Sequence, residues 1–428
     1  MRIKVLIAAV AAVLIAAGGA SSAASNEVVV RGTFLIAHAD GRGGAGDADF
    51  YLLKTGSGYF DLALAHAPSV RPNQPVTVTG VRQGREIVAS SIEATGPAVQ
   101  LAQPSQTLDA LVMLVSWPSV PPDFVTPAQA AQQVGDTDNA WYEDVSYGRL
   151  GMAASATPWL TIADPGAGCP LGQLLTEAES AAVADGFDPS AYDREMVYSP
   201  SGAPICPGFA GFGFVPGRIT WILGEMDTRV TVHELGHNLG LWHSHSASCV
   251  DASGAAVPFG PTCFIAEYGD LFDAMGLGFP GVGHFNAAQK NLLGWLPNGY
   301  RDVTPPLKGP VKATLTPLET AGGLKALAIH ADGTTFWVEH RAPIGVDSWL
   351  SNWPGAVNGV LVHTPEPSDG SNGTNLLDMT PTSADGFLDA ALPVGTIYTD
   401  PGRSFTLEVQ SASATGVSVV VRRPKGKK

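Results

Sequence analysis

The chain has 428 residues, with 24 Lys and Arg against 39 Asp and Glu, a formal net charge of −15 and a pI of about 5.0. So acidic a protein is repelled by phosphate backbones and anionic membrane surfaces, which excludes nucleic-acid binding, and the short basic tail at 422–428 is too small to reverse this. The length allows roughly two to four domains with cores of their own.

The N-terminus opens with MRIK, continues uncharged from Val5 to Gly18, and ends in the small-residue stretch GGASSAAS. This is the build of a secretory signal peptide, residues 1–24, with cleavage expected between Ala20 and Ser25. The apolar run is too short to span a membrane and no later run matches it, so no membrane insertion and an extracellular location are expected. Losing Arg2 and Lys4 with the leader makes the mature chain more acidic still. Of the four cysteines, an even count in an exported protein suggests two disulfides, and the most local pairing joins Cys169 to Cys206 and Cys249 to Cys263.

Residues 25–104 alternate apolar and polar positions in short runs such as VVVRGTFLIAHA and PVTVTGVRQG, separated by Gly, Pro and Asn. They predict a small all-β unit, a five-stranded barrel, followed by a polar, Pro-containing linker around 96–106. Residues 105–300 mix both periods. LDALVMLVSW reads as a buried strand, Thr126-Pro127 as a helix start, LGQLLTEAESAAVADG as a helix closed by glycine, and WLTIAD, REMVYSP and RITWILG as strands. Residues 301–428 return to β runs that fit an appended β-sandwich. The fold class expected is therefore α+β, with β-rich units flanking a mixed middle domain.

The middle domain carries HELGHNLGLWH. His233 and His237 lie four apart, one above the other on a helix face, so both imidazoles can reach one metal ion. Gly240 can take the left-handed conformation that ends the helix and turns the chain, bringing His243 to the same ion; His245 is the weaker candidate for that place. Three imidazoles with one open position make a catalytic zinc arrangement, since structural zinc sites are closed by four protein ligands and usually include thiolates. Glu234, off the ligand row, is placed to act as general base: zinc brings the pKa of its water to about 7, Glu234 takes the proton, and the attack falls on a peptide carbonyl.

HELGHNLGLWH resembles the extended zinc motif of the metzincins, and YGDLFDAMG downstream resembles their methionine turn, with Met275 as a floor beneath the ligands. Together with WYEDVSYGRL before it and FNAAQKNLLGWL after it, the wording is similar to the gametolysin family of cell-wall-degrading metallopeptidases over about residues 108–296. The resemblance implies a zinc endopeptidase with a metzincin-like catalytic domain, one Zn2+, His233, His237 and His243 as ligands, Glu234 as base, and a protein or glycoprotein substrate. Many metzincin zymogens are silenced by a propeptide cysteine on the zinc, but this chain has no cysteine before Cys169. The N-terminal unit therefore stands either as a propeptide that covers the site sterically or as a permanent domain.

Other readings come from particular residues. Tyr268 is a candidate oxyanion donor or simply a packed tyrosine. Trp337, Trp349 and Trp353 could stack on sugars or pack in a core, and DGSNGTN (369–375) is a weak candidate Ca2+ loop. Two rival functions follow: a secreted cell-wall- or glycan-binding protein with a non-catalytic zinc domain, against which the intact Glu234 argues, and a zinc hydrolase of non-peptide bonds. The protein is expected to act as a monomer.

Overall fold

In the computed structural model, which describes residues 26–41, 46–99, 106–166, 168–201, 206–278, 280–369 and 372–425, the alternating N-terminal runs form five strands. These are β1 (Glu27–Gly41), β2 (Ala48–Thr55), β3 (Gly58–Ala63), β4 (Gln74–Gln83) and β5 (Glu86–Ala94). The expected leader lies outside the described residues, as do residues 100–105 of the linker. Pairing runs β1–β2–β3–β5–β4 and back to β1, which closes a barrel. Its interior holds Phe34, Leu53, Phe60, Leu62, Val76, Val78 and Ile87, all contributed by the barrel's own alternating positions. β1 is longer than the barrel requires, and its last residues run on into the neighbouring sheet.

That neighbouring sheet has the order β7 (Gly151–Ala156), β6 (Thr107–Ser116), β9 (Arg194–Ser199), β11 (Ile219–Leu223), β10 (Phe209–Phe214), with the two-residue strand β8 (Leu160–Thr161) beside β6. All are parallel except β10. The near-continuous apolar run of β6 follows from burial on both faces. Leu111, Met113 and Val115 point to one core and Ala110, Val112 and Leu114 to the other. The first core is covered by α3 (Leu171–Ala184); the second by α1 (Pro127–Gln132), α2 (Asn139–Val145) and α4 (Thr228–Asn238). Thr126 starts α1 with a full capping box. The helix does not run straight into α2: Gln133–Asp138 forms a π-helical turn, where Gly135 packs closely on Ala154 of β7 and Gln133 bonds both Asp138 and Thr228.

Beyond α4 the chain enters a second sheet, built around β12 (Ser244–Val250), with β13 (Ala256–Val257) and β14 (Thr262–Ala266) at its edge. After α5 (Ala287–Leu292) come β15 (Tyr300–Val303), β16 (Val311–Leu315), β17 (Ala326–Ala331) and β18 (Thr334–Glu339). α6 (Pro354–Val357), β19 (Gly359–Glu366), β20 (Gly373–Leu377) and β21 (Leu392–Pro393) follow, then β22 (Ile397–Thr399), β23 (Thr406–Ser413) and β24 (Gly416–Arg422). The order β13-β12-β20-β19-β18-β17-β15 joins strands from both sides of residue 300, while β16, β24, β23 and β22 make a separate four-stranded sheet. One core, with Leu315, Phe336, Val362, Leu407 and Val419, draws on both sheets.

Disulfides join Cys169 to Cys206 and Cys249 to Cys263. They are compatible with an extracellular protein, and no described helix is long and apolar enough to cross a membrane. Trp337 is buried beside Tyr300, and Trp349 stacks on Phe272, so both serve packing. Residues 370–371 of the candidate Ca2+ loop lie outside the described residues.

Candidate active site

Asp227 caps α4 by accepting the Val230 N–H at 3.2 Å, and the spacing of four places His233 and His237 on the same buried face. The helix ends in a Schellman turn: Gly240 has φ +95°, its N–H donates to the His237 carbonyl, and Leu241 N–H donates to the Gly236 carbonyl. This reversal carries His243 back to the first two histidines. The three ring centroids stand 5.1, 5.1 and 5.3 Å apart. His245, on β12, is not part of the converging group among the described residues.

Each ring is fixed from behind. His233 Nδ1 meets the Ala274 carbonyl at 2.8 Å, His237 Nδ1 the Leu241 carbonyl at 2.9 Å, and His243 Nδ1 the Glu267 carboxylate at 2.9 Å. A carbonyl can only accept, so the Nδ1 atoms of His233 and His237 carry protons and their Nε2 atoms present lone pairs to the centre. Both Nε2 atoms are buried without a hydrogen-bond partner. Burial holds His237 in its neutral form, down to about 3. Burial opposes charging His243 too, but the Asp40 and Glu267 carboxylates override it and lift it to about 10. The cluster thus calls for positive charge at its centre, and its donor set fits a zinc ion.

Met275 is fully buried against Gly236, where an added Cβ would run into its sulfur. Its turn does more than pack, because the preceding residue supplies the carbonyl that orients His233, and Ser244 N–H donates to the Met275 carbonyl. Asp273 holds the turn by accepting N–H groups from Met275 at 2.7 Å and Asn286 at 2.6 Å. Glu234 is buried beside Gly211 of β10. Burial and then the neighbouring Asp40 charge push its carboxyl well above the usual range. A cavity of about 480 Å³ opens next to His233 and Glu234, lined by Ala210, Arg229, Val230, Leu271 and Leu277 among others.

Two participants were not legible in the sequence. Asp40, at the end of β1, places its carboxylate oxygens 3.0 Å from His233 Nε2, 3.5 Å from His237 Nε2 and 3.1 Å from His243 Nε2. Glu267 backs His243. Tyr268 is not simply packed: its ring lies 4.1 Å from that of His243 and its hydroxyl donates to Asp40 at 3.1 Å and to Asp47 at 2.8 Å.

Three converging imidazoles with a buried carboxylate on the same helix are the donor set of a metal-dependent hydrolase. Over residues 119–352, more than half of its length, the chain matches the family model of gametolysin peptidase M11, and it belongs to that family. Membership makes it a zinc metalloendopeptidase. Set against individual curated proteins, it matches none.

Proposed function

We propose that the protein is exported by its first 24 residues and hydrolyses peptide bonds of extracellular or cell-wall proteins, with His233, His237 and His243 holding one zinc ion and Glu234 as general base. The observation that carries this reading is the set of Nδ1 contacts, which turns three Nε2 atoms toward one point beside the buried Glu234.

Zinc held there supplies Lewis acidity, activating water near neutral pH and polarising a peptide carbonyl. Glu234 takes the proton and passes it to the leaving amine, and its burial next to Gly211 keeps the carboxylate from bulk water. A peptide in extended form lies along β10, whose strand direction brings the scissile bond past the histidine cluster. The cavity between Arg229 and Leu277 receives one substrate side chain. Tyr268, whose ring lies against His243, can donate to the carbonyl oxygen when its hydroxyl is released from Asp40 and Asp47.

The test is cleavage of a broad protein substrate before and after limited proteolysis of the enzyme, with chelator, and with zinc restored. Glu234→Gln is expected to keep its zinc and to lose roughly 10²–10⁴-fold in rate. An unchanged rate removes Glu234 from the base role.

A further inference from the structure

We propose that Asp40 is a fourth metal ligand, and that the N-terminal barrel uses it, through the end of β1, to hold the peptidase closed until the barrel is removed. The inference rests on reading His233, His237 and His243 as the zinc ligands.

The Asp40 carboxylate stands where a fourth donor to one ion would stand. Bonds of about 2.0–2.2 Å from one ion to nitrogen and oxygen donors place neighbouring donors roughly 3.3–3.5 Å apart. The Asp40 oxygens stand at 3.0, 3.5 and 3.1 Å from the three Nε2 atoms. A carboxylate pressed against two imidazole lone pairs, in a pocket where His233 and His237 Nε2 have no hydrogen-bond partner, is repulsive unless a cation lies between them. Asp40 is itself buried, so water does not relieve the contact.

The carboxylate is also held in place. Asp40 pairs with Gly211 across β1 and β10, Gly41 N–H donates to Asp47 at 2.6 Å, and the Tyr268 hydroxyl bonds both Asp40 and Asp47. With Asp40 bound, the metal has four protein ligands. That is the closed arrangement of a structural site, with no position left for water.

β1 closes a second requirement of the reaction. β10 is the last strand of the catalytic sheet on the side of the cluster, and its outer edge is the place where an extended substrate could add as a further strand. Residues 37–41 of β1 already occupy that edge, antiparallel, opposite 209–214. One segment therefore fills both the metal position and the peptide position. Neither disulfide reaches the barrel, so a single cut between β5 and β6 leaves it attached by non-covalent contacts alone. Its departure would free the metal position, the β10 edge and the Tyr268 hydroxyl together.

The test uses full-length protein carrying Co2+ in place of zinc, whose visible absorption is titrated with acetohydroxamate, a small bidentate ligand for an open metal position. Asp40→Ala and the near-isosteric Asp40→Asn are examined beside the unmodified protein, after melting curves confirm folding. A tethered carboxylate competes at millimolar effective concentration, so both variants should respond at hydroxamate concentrations at least about tenfold lower. With zinc restored, the unmodified chain should cut a quenched peptide faster once limited proteolysis has removed the barrel, since the Asp40 variants still carry β1 on the β10 edge. Equal titrations for all three proteins overturn the proposal, whatever their activity. A shifted titration with no peptide cleavage even after the barrel has been removed keeps Asp40 on the metal and sinks the peptidase reading instead.

Discussion

The two β-rich ends of the chain look alike as sequence and meet the histidine cluster at different atoms. The N-terminal barrel closes an interior of its own around Phe34, packs Leu35, Ala37, Leu52 and Tyr59 into the core of the neighbouring sheet, and brings one carboxylate to the cluster at the end of β1. The C-terminal region holds the cluster from behind. Thr374 N–H of β20 donates to the His243 carbonyl at 3.0 Å, β12 and β20 pair in parallel, and Glu339 accepts the Ala287 N–H at 2.6 Å. Arg341, fully buried, joins Glu319, Glu339 and Asp347 and donates to the Phe272 carbonyl just ahead of the methionine turn. The barrel has an interior of its own beside its packing on the sheet, whereas the C-terminal strands and charges are built into the support of the histidines.

The largest expected effect breaks this comparison directly. Phe34→Ala in the barrel core and Phe336→Ala in the C-terminal core make the same lesion in fully buried sites, each costing about 3–5 kcal/mol locally. Peptide cleavage by the unprocessed chain should rise in Phe34→Ala, as the barrel loosens, and fall in Phe336→Ala, as the support of His243 is lost. Assays of both variants that moved in the same direction would mean that the flanks play equivalent parts.

A smaller effect is expected at Glu267, which fixes the His243 ring while the C-terminal sheet fixes its backbone. Glu267→Ala should weaken zinc binding by roughly tenfold or more, read by competition with a chromophoric chelator, with little change in melting temperature. Retained affinity would assign the orientation of His243 to β20 alone.

The smallest effect is on the docking of the barrel. Asp61 accepts the Gly172 N–H at 2.9 Å, and burial raises its carboxyl to about 6. Burial and the nearby Glu179 raise Glu195 to about 7, with Lys54 and Arg218 as the facing cations. Both are raised above their unfolded values, so their contribution is fully present below about pH 4 and is lost as pH rises through about 6 to 7. A nicked enzyme should therefore release its barrel more readily at pH 8 than at pH 5 in size-exclusion runs, and Asp61→Asn should flatten that dependence. A profile unchanged by Asp61→Asn would place the pH dependence elsewhere.

Much of the candidate site was legible because its information is local. The spacing of His233 and His237 is a helical turn, the reversal at Gly240 needs only a glycine that accepts positive φ, and Cys249 and Cys263 close a short loop. The barrel was legible for a similar reason, since alternation with turn residues reports strands whatever they pair with. The break between α1 and α2 was not, because it depends on how closely Gly135 approaches β7.

What the sequence by itself determined is therefore a helix with two histidines four apart, the turn that returns a third, and a set of strands. Only the tertiary structure decided that Asp40 meets histidines some two hundred residues away, that Glu267 stands behind His243, and that β12 belongs to the C-terminal sheet. Contacts of that kind follow from strand register and sheet order. A single aspartate at the end of a strand looks like any other polar residue until pairing with β10 sets it over the histidine cluster.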